Sequence, residues 1–275
     1  MKNVLIAFDG THYSQGAVAC AKWMNHLQPI VLTGAFLPLS DYANLWSYAG
    51  QVEGEGKFIP LLEKAAEDNV RSNIERFKSV CTGNQISYTV HQDFDDFTLY
   101  ELKRESRYAD LLILGEESFY AEAGPEPPNL FLHDALHQAE CPVMLVPEKF
   151  QPPVQNIIAY DGSASAVYAI KQFAALFPEL CRNETLVVYA GHQTNENLPA
   201  DRNIRELCAV HFPKLTTIAM DINPRKYFAS WLKDHSNAVL ITGAFGRSDF
   251  SRMLRESFLS GVLKDDSLPI FIAHR

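Results

Sequence analysis

Leu111-Leu-Ile-Leu-Gly115 runs on to Cys141-Pro-Val-Met-Leu-Val-Pro147, and Val239-Leu-Ile-Thr-Gly243 runs on to Leu268-Pro-Ile-Phe-Ile-Ala273. Each stretch reads as a buried strand ending in glycine, a variable loop, a helix and a proline-led strand. The match extends upstream, where Val4-Leu-Ile-Ala-Phe-Asp9-Gly10-Thr11 parallels Ile157-Ile-Ala-Tyr-Asp161-Gly162-Ser163. The chain therefore reads as one α/β unit written twice.

A chain of 275 residues fits one large domain or two ordinary ones, and the repeat selects two. Units of about 150 and 125 residues are each large enough for a core. The expected domains are 1–148 and 154–275. The seam, Pro147-Glu-Lys-Phe-Gln-Pro-Pro153, has three prolines in seven residues, which neither continue a strand nor start a long helix. Strands are expected at Val4 to Phe8, Ile30 to Ala35, Ser87 to His91, Leu111 to Leu114 and Val143 to Val146. In the second half they recur at Ile157 to Tyr160, Leu186 to Ala190, Leu215 to Met220, Ala238 to Thr242 and from Ile270. Helices are expected there at Ser165 to Phe177, Ile204 to Phe212, Pro224 to His235 and Ser251 to Lys264. Strands with apolar runs and no alternation, separated by helices, predict a doubly wound parallel sheet covered on both faces. The first half also carries extra material at residues 37–60, with Tyr42, Trp46 and Tyr48. A surface loop with a few packed aromatics is the plain reading of it, against a lid or partner surface.

With 47% hydrophobic and 21% charged residues the composition is that of a soluble globular protein, and no apolar run nears the ~20 residues of a membrane span. Met1-Lys-Asn-Val-Leu-Ile enters a strand directly, with neither a signal-peptide core nor a cleavage site. The expected location is the cytoplasm, with no membrane partner. Five cysteines without a C-x-x-C pair predict reduced, buried thiols. A net charge of −9 disfavours nucleic acid as a partner. That charge is unevenly placed. Residues 1–150 hold 11 Lys+Arg against 21 Asp+Glu, a net of −10, while residues 151–275 hold 13 against 12, a net of +1. Such a field steers an anionic ligand toward the second half.

The chemistry sits at the strand ends, where open parallel sheets bind ligands. In the second half these ends are Asp161-Gly162-Ser163, Ala190-Gly191-His192 and Gly243-Ala-Phe-Gly246-Arg247-Ser248. Glycines there let backbone amides approach an anion, the following helix adds its dipole, and Arg247, Arg252 and Arg255 supply donors suited to phosphate. As a bare pattern G-x-x-G is weak, because glycine after a strand is usually a turn residue. His133 and His137, four apart on an expected helix, have a zinc-compatible spacing but no third ligand, so an exposed polar face is the expectation and no metal site is assigned. His12 has no nucleophile pattern beside it, and His192 reads as a loop residue. No Walker lysine or magnesium-holding carboxylate pair specifies hydrolysis, which leaves a slow ATP hydrolase as the most an enzyme reading supports.

Taken together, these motifs resemble tandem universal stress protein domains, a branch of the adenine-nucleotide α-hydrolase-like fold, over nearly the whole chain apart from residues 37–60. The markers are the opening strand with Asp-Gly-Ser/Thr, the Ile-Leu-Gly strand and the closing Cys-Pro-Val strand. Nucleotide-binding members carry G-x2-G-x9-G-[ST], and this chain reads Gly243-x2-Gly246-x9-Glu256-Ser257. The resemblance implies ATP or another adenine nucleotide in the second half, with Asp161 near ribose or adenine, the Ala190 backbone at the adenine edge, and Gly243, Gly246, Arg247 and Ser257 at the phosphates. It leaves open Mg²⁺ with the nucleotide. Glu256 departs from the motif and would repel phosphate unless a neighbouring arginine neutralises it. In the first half Gly115-Glu116-Glu117-Ser118 and Asn129-Leu130 replace the phosphate loop, and for Asp9 a helix-capping role weighs equally with ligand contact. Single-domain relatives pair through their last strands. The resemblance thus implies that Val143 to Val146 and Ile270 to Ala273 pair antiparallel as an intrachain pseudo-dimer, and it leaves a further homodimer open. The alternative is a scaffold of the same fold that binds no nucleotide.

Overall fold

Runs of buried apolar residues build the inner strands, and helices cross over both faces of one sheet. The computed structural model describes residues 1–38, 64–92, 98–116, 119, 130–190, 198–220, 228, 230–235, 237–243 and 268–274. Its strands are β1 (Lys2–Phe8), β2 (Ile30–Phe36), β3 (Ser87–His91), β4 (Leu111–Gly115) and β5 (Val143–Val146) in the first half. The second half has β6 (Gln155–Ala159), β7 (Glu184–Ala190), β8 (Leu215–Met220), β9 (Ala238–Thr242) and β10 (Ile270–Ile272). All ten form one sheet in the order β3-β2-β1-β4-β5-β10-β9-β6-β7-β8. The order 3-2-1-4-5 is met again, read inward from the far edge, as 8-7-6-9-10. Every pairing is parallel except the central one, in which Ile270, Phe271 and Ile272 of β10 face Leu145, Met144 and Val143 of β5 antiparallel. The expected strands are all present, with ends shifted by no more than two residues.

Helices α1 (Gln15–Leu27), α2 (Lys64–Gly83), α3 (Thr98–Ser106), α4 (Leu130–Gln138), α5 (Ala164–Leu176) and α6 (Asp201–His211) cover the sheet. On one face, α1 buries Ala17, Cys20, Ala21 and Met24 and α2 buries Ile74, Phe77 and Cys81, with α5 and α6 continuing the same cluster across the second half. The opposite face is covered by Leu102 of α3, Leu132 and Leu136 of α4, and Phe228 and Leu232. This is the doubly wound arrangement the strand composition predicts. The helix expected at Pro224 to His235 is described from residue 230, ending in a 3-10 turn at Lys233–His235. The helix expected at Ser251 to Lys264, and residues 39–60 of the extra segment, lie outside the described residues.

The two halves are joined by more than three pairs of strand residues. Phe271 is fully buried and meets Phe173 at 5.3 Å and Phe177 at 6.0 Å, both edge-on. Trp23 of α1 stacks on Phe177 at 6.5 Å, and Phe150 of the linker tilts against Trp23 at 5.6 Å. Lys2 donates its ammonium to the Leu176 carbonyl at the end of α5, where a cation complements the helix dipole, and lies 5.8 Å over the Phe177 ring. A single aromatic cluster therefore contains residues of α1, the linker, α5 and β10.

Of the five thiols, Cys20, Cys81, Cys181 and Cys208 are buried, and Cys141 is half-buried, more open than its apolar sequence surroundings imply. Burial pushes the Cys81 and Cys181 thiols up to about 11 and those of Cys141 and Cys208 to about 12. Since the thiolate is the reacting form, labelling of the native chain at pH 8 should be far slower than labelling of the unfolded chain, and should rise as pH approaches 11. Cys141, the one thiol not fully buried, should react first on access despite a thiol raised further than those of Cys81 and Cys181; five equally fast thiols in the native protein would contradict this burial. Truncation of Phe271 to alanine should cost about 3–5 kcal/mol by denaturant titration, and a loss under about 1 kcal/mol would show that the seam does not depend on that ring.

Candidate functional site

In a doubly wound sheet the crevice lies at the carboxyl ends of the strands where the order reverses. In the second half that point is between β6 and β9, which are neighbours, with β7 on the other side of β6. Asp161, Gly162 and Ser163 follow β6, Ala190 ends β7, and Gly243 follows β9. The structure thus brings these five expected site residues to one end of three adjacent strands. Gly246, Arg247, Glu256, Ser257 and His192 lie outside the described residues.

The local geometry explains the residue types. Gly162 has φ +81°, a backbone that residues with a Cβ rarely adopt. Asp161 is half-buried, and its Oδ1 accepts the Ser163 amide at 2.8 Å. Its second oxygen accepts no bond from a described residue. Ser163 is the N-cap of α5, its Oγ accepting the Ala166 amide at 3.1 Å, so its hydroxyl proton remains available to donate. Gly243 answers a different constraint. A Cβ there would lie 2.3 Å from the Ala166 nitrogen and 2.6 Å from the Ser165 oxygen, so the end of β9 is pressed against the first turn of α5. Packing alone requires glycine at this position.

The first half departs from this pattern beyond its sequence differences at residues 115–118. Gly10 has φ +87°, as Gly162 has +81°, yet the helix cap is Ser14, not Thr11, making the first loop three residues longer. Thr11, His12 and Tyr13 occupy the added length. Asp9 is 5% exposed; its Oδ1 accepts the amides of Thr11 at 2.9 Å and His12 at 2.7 Å, and its Oδ2 lies 2.8 Å from His12 Nδ1. Asp9 does not cap α1, whose cap is Ser14; it knots its own loop. Tyr13 stacks on Phe8 at 5.1 Å under the Arg76 guanidinium at 4.2 Å, and burial pushes its phenol up to about 12. Asn73 of α2 donates to the Gly10 and Thr11 carbonyls at 3.1 and 3.2 Å. The N-terminus of α1 receives a carboxylate from far along the chain: Glu148 accepts the Gln15 amide at 2.9 Å and the Ser14 hydroxyl at 3.1 Å. Neither His12 nor Glu148 carried a signal for these roles in the sequence.

His133 is half-buried beside Asp134 at 3.3 Å, and exposed His137 stacks near His274 at 6.3 Å. Among the described residues no group of three His, Cys, Asp or Glu could hold a metal ion, and no helix is long and apolar enough to cross a membrane.

The whole architecture has close counterparts. A solved universal stress protein of Archaeoglobus fulgidus superposes with a TM-score of 0.65 at 14% identity, covering 100% of this chain and 96% of that one. The chain has the fold of the universal stress proteins. A Pseudomonas aeruginosa structure classed with them matches at a TM-score of 0.52 and 13% identity, covering 100% and 93%. In sequence, a universal stress protein of Synechocystis sp. is 22% identical over 98% of this chain and 99% of its own length. No family model matches the chain. The universal stress protein resemblance read from the Asp-Gly-Ser and Ile-Leu-Gly motifs is therefore borne out.

The steric role of Gly243 is open to test. Gly243→Ala should displace the first turn of α5 and lower stability by about 1–3 kcal/mol in a denaturant titration. Unchanged stability would mean that the approach of β9 to α5 is looser than 2.3 Å implies.

Proposed function

We propose that this universal stress protein acts in the stress response, in the cytoplasm, by binding ATP or a related adenine nucleotide in its second half only. The observation that carries the reading is the contrast between two carboxylates at equivalent strand ends. Asp161 is half-buried with one oxygen bonded to the Ser163 amide, and its other oxygen can accept a ribose hydroxyl. Asp9 is 5% exposed and engaged on both oxygens by its own loop. The residues of the second half fit a nucleoside at this end: an acceptor at Asp161, a donor at Ser163 and backbone at the end of β7. Gly246, Arg247 and Ser257 would serve the phosphates, with Mg²⁺ as the counterion of a bound triphosphate. The charge difference, −10 against +1, favours the same half. On this reading the chain pairs its own two halves as single-domain members pair two copies. The first half then serves mainly as structural partner.

Glu256 favours the alternative, a scaffold of the same fold that binds no nucleotide, because a carboxylate there repels phosphate. Calorimetric titration of the full chain with ATP separates the two. One site per chain is expected, with Asp161→Ala weakening it about tenfold or more and Asp9→Asn leaving affinity unchanged. No heat and no thermal shift at millimolar nucleotide would establish the scaffold reading instead.

A further inference from the structure

The turn Leu198-Pro199-Ala200, between β7 and α6, closes over the Gly162 corner of the second-half mouth. A Cβ at Gly162 would lie 2.8 Å from Pro199 Cβ, so the two segments are in van der Waals contact only because residue 162 is glycine. Beyond the proline, Ala200 takes φ +49° and ψ +42° as the N-cap of α6, without a side-chain cap. A left-handed alanine costs about 1–2 kcal/mol and persists only where its surroundings hold it. Its carbonyl accepts the amides of Asn203 at 2.9 Å and Ile204 at 3.1 Å, so the turn also fixes where α6 begins.

Tyr160 provides the hold. It is 3% exposed, its backbone N–H donates to the Val188 carbonyl of β7 at 2.9 Å, and its hydroxyl donates to the Pro199 carbonyl at 2.9 Å. Burial, with the adjacent Asp161 charge, raises the phenol above its ordinary value, so it remains a donor throughout the physiological range. The first half has the same glycine and proline approach, 2.9 Å between a Gly10 Cβ and Pro38 Cβ, but Phe8 stands where Tyr160 does and has no hydroxyl. Among the described residues the Pro38 carbonyl accepts from Thr98 Oγ1, at 3.5 Å, from a different element.

We propose that Tyr160 is a positioning residue of the second-half site: its hydroxyl holds Pro199 against Gly162, and the held turn keeps the neighbouring Asp161 carboxylate presented at the mouth. The role rests on the nucleotide reading above. The phenol itself touches no ligand.

Tyr160→Phe in the full chain removes that one hydroxyl. In the nucleotide-free protein, hydrogen exchange of the Asn203 and Ile204 amides should accelerate about tenfold while Leu240 of β9 exchanges as in the wild type. ATP affinity by calorimetry should fall about tenfold, the scale of one buried hydrogen bond. Unchanged exchange at 203 and 204 overturns the clamp. Faster exchange with wild-type affinity overturns the positioning role and leaves the nucleotide reading standing. A wild-type chain that binds no ATP overturns the nucleotide reading and the positioning role with it. That case is told apart because the exchange measurement uses no nucleotide.

Discussion

The antiparallel contact between β5 and β10 sets everything else in this molecule. Each half, taken by itself, would end in a short buried strand with one unpaired edge, and an open apolar edge is a template for unwanted pairing. Joining the two last strands removes both edges. Three register pairs supply few hydrogen bonds, each with a modest net value of about 1 kcal/mol, so the pairing depends on what lies above it. That is the cluster of Trp23, Phe150, Phe173, Phe177 and Phe271, which draws on both halves and on the linker.

Because this one contact is antiparallel while all others are parallel, the strands of the two halves run in opposite directions. Their carboxyl ends, where such folds place a crevice, therefore lie at opposite ends of the strands. Among the described residues the two ends share none. A change at one of these ends therefore leaves the other untouched, and this physical independence allows the loops of a repeated fold to differ. The loop after β1 shows such a difference. A buried carboxylate is costly unless bonded, and Asp9 meets that demand from within its own loop through two amides and an imidazole. Tyr13 then covers Phe8, and Asn73 and Arg76 of α2 fasten the enlarged loop from outside.

The legibility of the sequence follows the range of the interactions involved. Strands buried on both faces read as continuous apolar runs, so β5 and β9 are legible to the residue, and the edge strands β3 and β8, only partly buried, match their expected bounds as well. The pairing of β5 with β10 was legible only through the resemblance, since no local pattern states what a last strand meets. The capping role weighed for Asp9 falls instead to Ser14: Thr11 matches Ser163 by residue type and by its place after Asp-Gly, whereas the hydroxyl that caps α1 lies three residues further on. Glu148 bonds Gln15 across 133 positions, and nothing local announces a contact of that range. Cys141 was read as buried from apolar neighbours, but it precedes β5 at the rim and stays partly open.

Gly243 shows how sequence and structure weigh the same residue differently. In the sequence it opens the expected phosphate motif, and its value as evidence for a ligand depends on glycine being kept for a close backbone approach to an anion. In the fold the close approach is to the chain itself, since the Ala166 nitrogen and Ser165 oxygen occupy the space a side chain would need. A chain that had lost nucleotide binding would still need glycine there. Gly162 is likewise accounted for by its backbone angle and by Pro199. Asp161 has no such structural explanation: one of its oxygens organises the Ser163 turn, a task that serine or asparagine performs as well without a charge. The case for a ligand in the second half therefore rests less on the glycines that first suggested it than on this carboxylate.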